Sequence, residues 1–388
     1  MSEKNQTPKI NTLLSKFQKL ETQLNSRILE REDEIHGVTL AVLSRQHIFL
    51  LGVPGTGKSF LIDEFHKAVQ GSQFFQRLLT RFSQPDEIFG TVKLSKLKQD
   101  IYERNITGKL PTSHFAFIDE IFKANSSILN SILKILNERV YENDGSVIQC
   151  PLITMLCASN ELPEERNELS ALYDRIALRY VVEPLNDSSN FLTLLTGGLG
   201  AVTETLTLDE IKQAQSEVEQ VTLTREIAEE LFKLRQRLIH EQIEPSDRRF
   251  LWATKILKAN AWYNGRDIVN HDDLLVLKHV LWDTESQVEV VNKIVSEISN
   301  PLLREAEDWV DAVKSAKRTV ENAEEKDRLL VASEQMANVN KAFQKLIGIR
   351  EMLTTQGRET TMIDRYLEEC ESVRGYITGL FSLTAKGE

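Results

Sequence analysis

The sequence predicts an α/β fold with a mostly parallel sheet, followed by two helical regions. Short apolar runs alternate with helical patterns up to about residue 185, and only helical patterns follow them. Runs that are apolar throughout are typical of strands buried on both faces of a parallel sheet. The 388 residues are enough for two or three domains. The predicted boundaries are 1–185, 186–284 and 285–388.

Local periodicity predicts the elements of the first region. Residues 8–30 repeat apolar side chains every three or four positions, which indicates an amphipathic helix. Runs rich in branched and aromatic residues predict strands. These runs are HIFLLGV at 47–53, FFQRLL at 74–79, FAFID at 115–119, LITMLCAS at 152–159 and IALRYVV at 176–182. Helices are predicted between them, for example at 58–69 and 126–139.

No strand is predicted after Pro184, and the rest of the chain is interpreted as helical. Thr207, three residues before Glu210, forms a capping box that predicts a helix start. Helical patterns then cover 224–241, 247–264 and 271–283. Beyond about 285, the spacing predicts two long helices folded back on each other and a third near 360–382. A packed helical bundle is the simplest interpretation of this last region.

Composition narrows the classes of function. The net charge of −11 disfavours a protein that mainly grips a nucleic acid backbone. No apolar run approaches the roughly 20 residues of a membrane helix, so no integral membrane segment is predicted. The N-terminal residues lack the apolar stretch of a secretory signal. Cys150, Cys157 and Cys370 show no metal-ligand spacing, which predicts buried free thiols and a reducing, cytoplasmic location.

The stretch GVPGTGKS carries the strongest chemical signal. It fits the pattern G-x-x-x-x-G-K-[ST] and stands between a predicted strand and a predicted helix. Glycines let backbone amides approach a phosphate, and the helix N-terminus adds partial positive charge. Lys58 would reach the β and γ phosphates, and the Ser59 hydroxyl would bind Mg²⁺. The predicted nucleotide loop is Gly52, Val53, Pro54, Gly55, Thr56, Gly57, Lys58 and Ser59.

Polar residues at the ends of two later strands would complete a hydrolytic site. Asp119 and Glu120 end the run FAFIDE, about sixty residues after the loop. Asp119 would hold the Mg²⁺ through water, and Glu120 would polarise the attacking water as a general base. Asn160 follows the next strand and would orient the same water or sense the γ-phosphate, although asparagine is also common in turns.

Two stretches offer arginines for the negative charge that develops in phosphoryl transfer. LYDRIALR contains Arg175 and Arg179, and EPSDRRF contains Arg248 and Arg249 at a predicted helix start. Each of them is also compatible with an ordinary surface ion pair.

Together these motifs resemble the AAA+ ATPases, and within them the MoxR family. The resemblance is closest to the regulatory ATPase variant A (RavA) subfamily and covers about residues 10–288. It implies a three-layer αβα P-loop core with a parallel sheet, an all-α lid and, here, a helical C-terminal domain. The stretches that carry it are LLGVPGTGKS, LLTRFSQPDEIFG, FIDEIFKANSSILNSILKILNERVYENDG, ASNELPEE, LSALYDRIALR and SDRRFLWATKILKANAW.

The resemblance also implies roles. Residues 52–59 match the Walker A motif, Asp119 and Glu120 match Walker B, and Asn160 matches sensor 1. Arg175 matches the arginine finger that is supplied to the neighbouring subunit. Arg248 matches sensor 2, which would reach the γ-phosphate from the lid. Arg139 and Arg179 are alternatives for the finger, and Arg249 is the alternative for sensor 2.

Family members form rings of identical subunits, most often hexamers, that bind ATP and Mg²⁺ between subunits. They usually act as chaperone-like remodellers and commonly work with a partner that carries a von Willebrand factor A domain. The stretch LSKLKQDIYERNITGKL lies in a segment of about 35 residues that matches a clade insertion expected to project toward the central pore. The region 285–388 departs from the closest subfamily, whose members carry a β-rich module beyond the lid. A partner that binds through that module is therefore not expected.

Three functions compete on these grounds. The first is an ATP-driven remodelling motor, and the second is a nucleotide-gated scaffold that displays the helical tails. The third is a DNA motor, for which KLSKLKQ at 93–99 is the one basic cluster that would face a pore, and a solvated helix face explains it more simply. The tail itself would be either a rigid spoke that holds a partner or a clamp that packs on the lid.

Overall fold

The computed structural model describes residues 12–163, 168–299, 301–324, 327–355 and 360–384. The chain divides into two compact units, Met1–Val291 and Asn292–Glu388. The three predicted domain boundaries are not tested by this division and stay a prediction.

A five-stranded parallel sheet forms the centre of the first unit. Numbered along the chain, its strands are β1 (Ile48–Leu51), β3 (Phe74–Leu78), β4 (Phe115–Asp119), β7 (Thr154–Ser159) and β8 (Leu178–Val181). Their order across the sheet is β3-β4-β7-β1-β8. Every residue of β1 and β7 is buried, as expected for strands covered on both faces. All five predicted strands are thus confirmed.

Helices connect and cover these strands. They are α1 (Thr12–Arg27), α2 (Glu32–Ser44), α3 (Lys58–Lys67), α4 (Pro85–Phe89), α5 (Leu94–Leu97), α6 (Ser126–Glu138), α7 (Glu168–Asp174), α8 (Ser188–Thr196), α9 (Leu208–Gln220), α10 (Arg225–His240) and α11 (Asp247–Tyr263). Short 3-10 helices lie at Leu110–Thr112, Ile121–Lys123, His271–His279 and Glu285–Gln287. The predicted helix over 271–283 is therefore wrong in type, since the chain forms a 3-10 helix there.

Two small sheets were not predicted. Strand β2 (Val69–Gln70) pairs in parallel with β9 (Leu206–Thr207), so the expectation that strands stop at Pro184 is wrong. Strands β5 (Val140–Asn143) and β6 (Ser146–Gln149) form an antiparallel hairpin. Asp144 and Gly145 join them with φ angles of 51° and 77°. Positive φ at both central residues is the backbone that a tight hairpin turn requires.

The first two helices pack against the last long helix of this unit. The rings of Phe17 and Trp262 meet edge to face at 5.7 Å. His36 contacts Glu21 and Asn260, each at 3.0 Å. Asn260 also donates to buried Asp273 at 2.7 Å. These contacts hold the N-terminal and lid helices together as one body beside the sheet.

The second unit is a helical bundle. Helix α12 (Val288–Ser299) runs across the division, and α13 (Pro301–Glu321), α14 (Arg328–Thr355) and α15 (Thr361–Thr384) follow it. Helices α13, α14 and α15 pack on one another around buried Val313, Val339 and Ile377. The predicted pair of long helices and third helix are confirmed. The αβα core, helical lid and helical C-terminal region match the predicted fold class.

The structure also shows the state of the cysteines and the character of the helices. All three cysteines are buried free thiols, as predicted. None of the helices within the described ranges has the length and apolar composition that crossing a bilayer requires.

Candidate active site

The nucleotide loop begins where β1 ends, at a point crowded by its neighbours. The N–H of Gly52 donates to the carbonyl of Ser159, at 3.1 Å, at the end of β7. A Cβ atom on Gly52 would lie 2.3 Å from the carbonyl oxygen of Val182. Only glycine therefore lets this backbone pass between the two neighbouring strands.

The rest of the loop is shaped as a phosphate cradle. Gly55 and Gly57 have φ angles of 87° and 81°, in the left-handed region. A Cβ atom on either glycine would have no atom within 4 Å. Gly57 is the N-cap of α3 and has no side chain to cap it, so the first amides of the helix face the cradle. Open space, positive φ angles and uncapped amides fit the phosphates of a nucleotide.

Lys58 lies across this cradle. Its Nζ donates to the carbonyl of Gly52 at 2.6 Å and to that of Val53 at 2.8 Å. Burial lowers the pKa of Lys58, while the carboxylates of Asp119 and Glu120 act in the opposite direction. The lysine and the two acids therefore share one electrostatic site.

The two acids sit at the end of β4. The N–H of Glu120 donates to Asp119 Oδ1 at 3.0 Å. Glu120 has a φ of 53°, which is strained for a residue other than glycine and turns its side chain away from the strand direction. Its carboxylate is 3.1 Å from Lys123 Nζ.

The predicted metal ligands are one hydroxyl and one carboxylate. Within the described ranges, no group of three or more His, Cys, Asp and Glu side chains could hold an ion. Mg²⁺ typically takes one or two protein oxygens and completes its shell with water and phosphate. The predicted pair, the Ser59 hydroxyl and the Asp119 carboxylate, stand in the first turn of α3 and at the end of β4.

Asn160 directly follows β7 and is exposed. The bond between Gly52 and Ser159 places the end of β7 against the start of the loop. The structure thus gathers the loop, the acid pair and Asn160 where β1, β4 and β7 end, here called the carboxyl edge of the sheet. Ligands of open parallel sheets bind at this edge.

A cavity of 430 Å³ opens beside the cradle. Its lining is mostly apolar, and such a cavity suits a planar base. The lining outside the loop includes Ile28, Leu29, Pro184, Leu185, Phe191 and Leu194. Sequence reasoning missed this cavity because its walls come from three separate segments.

Sequence reasoning also missed Arg31. Its guanidinium donates to the carbonyl of Thr56, within the cradle, at 3.3 Å, and to the carbonyl of Glu183 beyond β8. Arg31 is only 8% exposed. No motif in the sequence marks this residue, because these two partners lie 25 and 152 residues away along the chain.

Arg175 lies at the other end of the strands, here called the amino edge. Ile48 of β1 is aligned with Leu178 of β8, and Arg175 precedes that residue by three. Its Nη1 donates to the carbonyl of Ala171 at 2.6 Å. Burial lowers the pKa of Arg175, and nearby Arg248 lowers it further. A cleft of 560 Å³ beside it contains the cations Arg45, Arg139, Arg175, Lys255 and Lys258.

The two alternative finger residues are engaged inside the chain. Arg139 contacts His47 Nε2 at 2.6 Å and donates to the carbonyl of Arg45 at 2.8 Å. Arg179 is fully buried, pairs with Asp283 at 2.5 Å and stacks on the ring of Tyr173 at 3.6 Å. Both arginines hold the fold together in this structure.

Of the two arginines considered for sensor 2, Arg249 is engaged inside the chain and Arg248 is largely free of such contacts among the described residues. Arg249 is buried, and its guanidinium donates to the carbonyl of Val280 at 2.9 Å and pairs with Asp174 and Asp283 at 3.3 Å each. Arg248 is half exposed and lies 3.8 Å from Asp174. Asp174 precedes β8, so Arg248 lies at the amino edge with Arg175. The assignment of Arg248 to sensor 2 stays a prediction.

Two family models match the chain. The model of the MoxR domain in the MoxR–vWA–β-propeller ternary systems matches residues 15–224. The model of an AAA lid domain matches residues 226–295.

Individual proteins are similar as well. The uncharacterised protein MJ0079 of Methanocaldococcus jannaschii is 33% identical over 384 residues, 96% of this chain and 100% of the relative. Chaperone MoxR1 of Mycobacterium tuberculosis is 25% identical over 127 residues, 32% of each chain. The crystal structure of a candidate ATPase from Cytophaga hutchinsonii gives a TM-score of 0.59 at 16% identity, and covers 74% of this chain and 94% of that chain. At this identity, the structural likeness shows the fold alone.

Proposed function

The chain belongs to the MoxR family of AAA+ ATPases, and from this premise we propose that it hydrolyses Mg-ATP in a ring of identical subunits to remodel a partner protein. One observation carries the proposal. The phosphate cradle, Asp119, Glu120 and Asn160 lie together at the carboxyl edge, whereas Arg175 lies at the amino edge of the same sheet. Placement in the RavA subfamily stays a prediction.

The carboxyl edge would bind the nucleotide. The amides of the cradle and Lys58 would hold the β and γ phosphates, and the apolar cavity would hold the base. Ser59 and Asp119 would hold Mg²⁺, which when bound neutralises the charge on the phosphate oxygens.

Two residues of the same edge would act on water. The Glu120 carboxylate would accept a proton from the attacking water, and Asn160 would orient that water. The strained backbone of Glu120 fixes the direction of its side chain, which favours a positioned base over a mobile one.

The arginines would act on the neighbouring subunit. At roughly 3.3 Å a residue, the four residues of β1 separate the two edges by about 13 Å. Arg175 therefore reaches a nucleotide only if that nucleotide lies between two copies of the chain, and Arg248 would join it there. A ring, of six subunits by family analogy, brings the two edges together at every interface.

The partner is inferred from the matched family model. That model describes MoxR domains that occur in systems with a vWA component, so a von Willebrand factor A domain protein is the proposed partner. The helical bundle at 292–388 would be available as a spoke for it or as a clamp on the lid.

A DNA motor is disfavoured by one observation. Part of the charge of the basic cluster at 93–99 is compensated inside the chain, because Lys93 pairs with Glu103 and Lys96 lies 4.0 Å from the same carboxylate. The nucleotide-gated scaffold is the second candidate. In it, ATP bound at the carboxyl edge would be enough to assemble the ring, and hydrolysis would not be required.

The test is ATP hydrolysis per subunit over a wide range of protein concentration, with Mg²⁺ and no partner. The rate of the wild type should rise steeply and then saturate as interfaces form. Glu120→Gln should still bind ATP but hydrolyse it at least 100-fold more slowly, as expected for loss of a general base. Glu142→Gln, an exposed carboxylate on β5, serves as the matched control. Bound ATP with no hydrolysis by the wild type at any concentration would favour the scaffold.

A further inference from the structure

We propose that Glu30 and Arg31 form a clasp that positions both the phosphate cradle and the wall of the base cavity. The clasp thereby sets how tightly and how selectively the site holds a purine nucleoside triphosphate. This inference rests on the proposed nucleotide site and assigns two positioning residues to it.

Arg31 connects three segments around the site. Its guanidinium donates to the carbonyls of Glu30, Thr56 and Glu183. These oxygens belong to the turn between α1 and α2, the phosphate cradle and the chain that leaves β8. Its hydrogen bonds within the described residues go to these carbonyl oxygens, and the charge of Arg31 also acts on the buried carboxylate of Glu34. A guanidinium bonded in this way ties three segments together beside the phosphate cradle.

Glu30 connects the same turn to helix α8. Its carboxylate accepts hydrogen bonds from the N–H of Asn186 at 2.8 Å, the N–H of Asp187 at 3.0 Å and Asn190 Nδ2 at 3.1 Å. These bonds, that from Asn186 first, lower the pKa of Glu30. Glu30 has a φ of 55°, a strained backbone that aims its side chain at the start of α8.

Helix α8 depends on this anchor. It buries none of its residues, and Phe191 remains 50% exposed. Phe191 and Leu194 nevertheless form part of the base cavity. Because packing holds α8 weakly, the three hydrogen bonds that Glu30 accepts determine the position of this wall of the cavity.

The two residues have separable effects. Arg31 bonds to the cradle and also borders the cavity, so its loss should weaken every nucleotide, chiefly through the phosphates that all of them share. Glu30 touches the wall, so its loss should change the discrimination between bases. An apolar wall penalises guanine, whose extra polar groups would be buried without partners, and a loosened wall admits water and relaxes that penalty.

The experiment measures Kd values for ATP and GTP by calorimetry on the full-length chain. Glu30→Asn keeps a residue that tolerates positive φ but is too short to reach α8. It should lower the ATP-to-GTP affinity ratio at least fivefold. Arg31→Gln should weaken both nucleotides about tenfold at an unchanged ratio, and Arg31→Lys should recover part of the loss. Glu32→Gln, at the first residue of α2, and Arg81→Gln, on the surface, are the controls.

Hydrogen exchange of the nucleotide-free protein gives a second readout. In Glu30→Asn, amides 188–196 should exchange faster while those of 48–51 stay protected. An unchanged ratio together with unchanged exchange in α8 overturns the clasp. A wild type that binds no nucleotide contradicts the proposed function instead, and the exchange measurement still tests the clasp. Should Glu30→Asn not fold, Glu30→Gln, which keeps one acceptor, is expected to show a smaller effect of the same sign.

Discussion

Lys58 and Glu120 at the carboxyl edge are held by more contacts than Arg175 and Arg248 at the amino edge. Lys58 donates to two carbonyls, and Glu120 contacts both Asp119 and Lys123. Among the described residues, Arg175 donates to the carbonyl of Ala171 and Arg248 approaches Asp174 at 3.8 Å. Preorganised groups bind without further cost, while loosely held arginines can adjust to a surface that arrives later. The difference fits the proposal that one edge binds the nucleotide and the other completes the site of a neighbouring subunit.

The largest expected effect tests whether the amino edge acts on another subunit. Arg175→Ala should lower turnover by on the order of 10³-fold, because the charge on the transferred phosphoryl group loses its counterion. ATP affinity should stay unchanged, since the carboxyl edge is intact. Steady-state hydrolysis and calorimetry measure the two quantities, with Arg45→Ala at the same edge as the control.

Mixing two inactive variants sharpens this test. Arg175→Ala subunits supply intact carboxyl edges, and Glu120→Gln subunits supply intact arginines. In a random mixture about a quarter of the interfaces would then be complete, so turnover should return. Absence of any recovery would place Arg175 and Glu120 in the same subunit's site and break the comparison between the edges.

The second prediction separates the two adjacent arginines of α11. Arg249→Met should lower the free energy of unfolding by roughly 2–3 kcal/mol, because Asp174 and Asp283 lose a buried partner. Arg248→Ala should leave stability unchanged and lower turnover by about tenfold. Thermal unfolding and hydrolysis distinguish these outcomes. A stability loss in Arg248→Ala would show that this arginine also belongs to the fold.

The smallest expected effect tests the crowding at the carboxyl edge. Gly52→Ala should cost roughly 1–3 kcal/mol, because the new Cβ meets the carbonyl of Val182 and the loop must shift. Gly348→Ala in α14 is the control, since its Cβ would have no atom within 4 Å. Chemical denaturation and ATP affinity are the measurements. Equal behaviour of the two variants would mean that the loop has more freedom than its contacts indicate.

The sequence predicted what local patterns encode. Five apolar runs predicted the five strands, and the glycine-rich loop predicted a nucleotide site where β1 ends. The hairpin of β5 and β6 was not predicted, although Asp144-Gly145 is a strong turn signal. Helix α6 ends at Glu138 and β5 begins at Val140, so the strand follows the helix too closely to stand out as a separate pattern.

Other features depend on contacts between distant segments. Arg31 meets the carbonyl of Glu183, 152 residues away, and no local pattern carries that information. The positions of Arg248 and Arg249 likewise follow from how α11 packs near Asp174. Two neighbouring arginines look alike in a sequence, and only burial separates the structural one from the exposed one.

The burial of the three cysteines has a practical consequence for studying the assembly. Burial raises the pKa of Cys150 and of Cys370 to about 11, and it also raises the pKa of Cys157. Only the thiolate reacts readily with alkylating reagents and oxidants, so all three native thiols should be nearly inert at neutral pH. A cysteine introduced at the surface would thus be the one reactive thiol of the folded chain. Dyes and cross-linkers can be placed at either edge of the sheet without first removing a native residue.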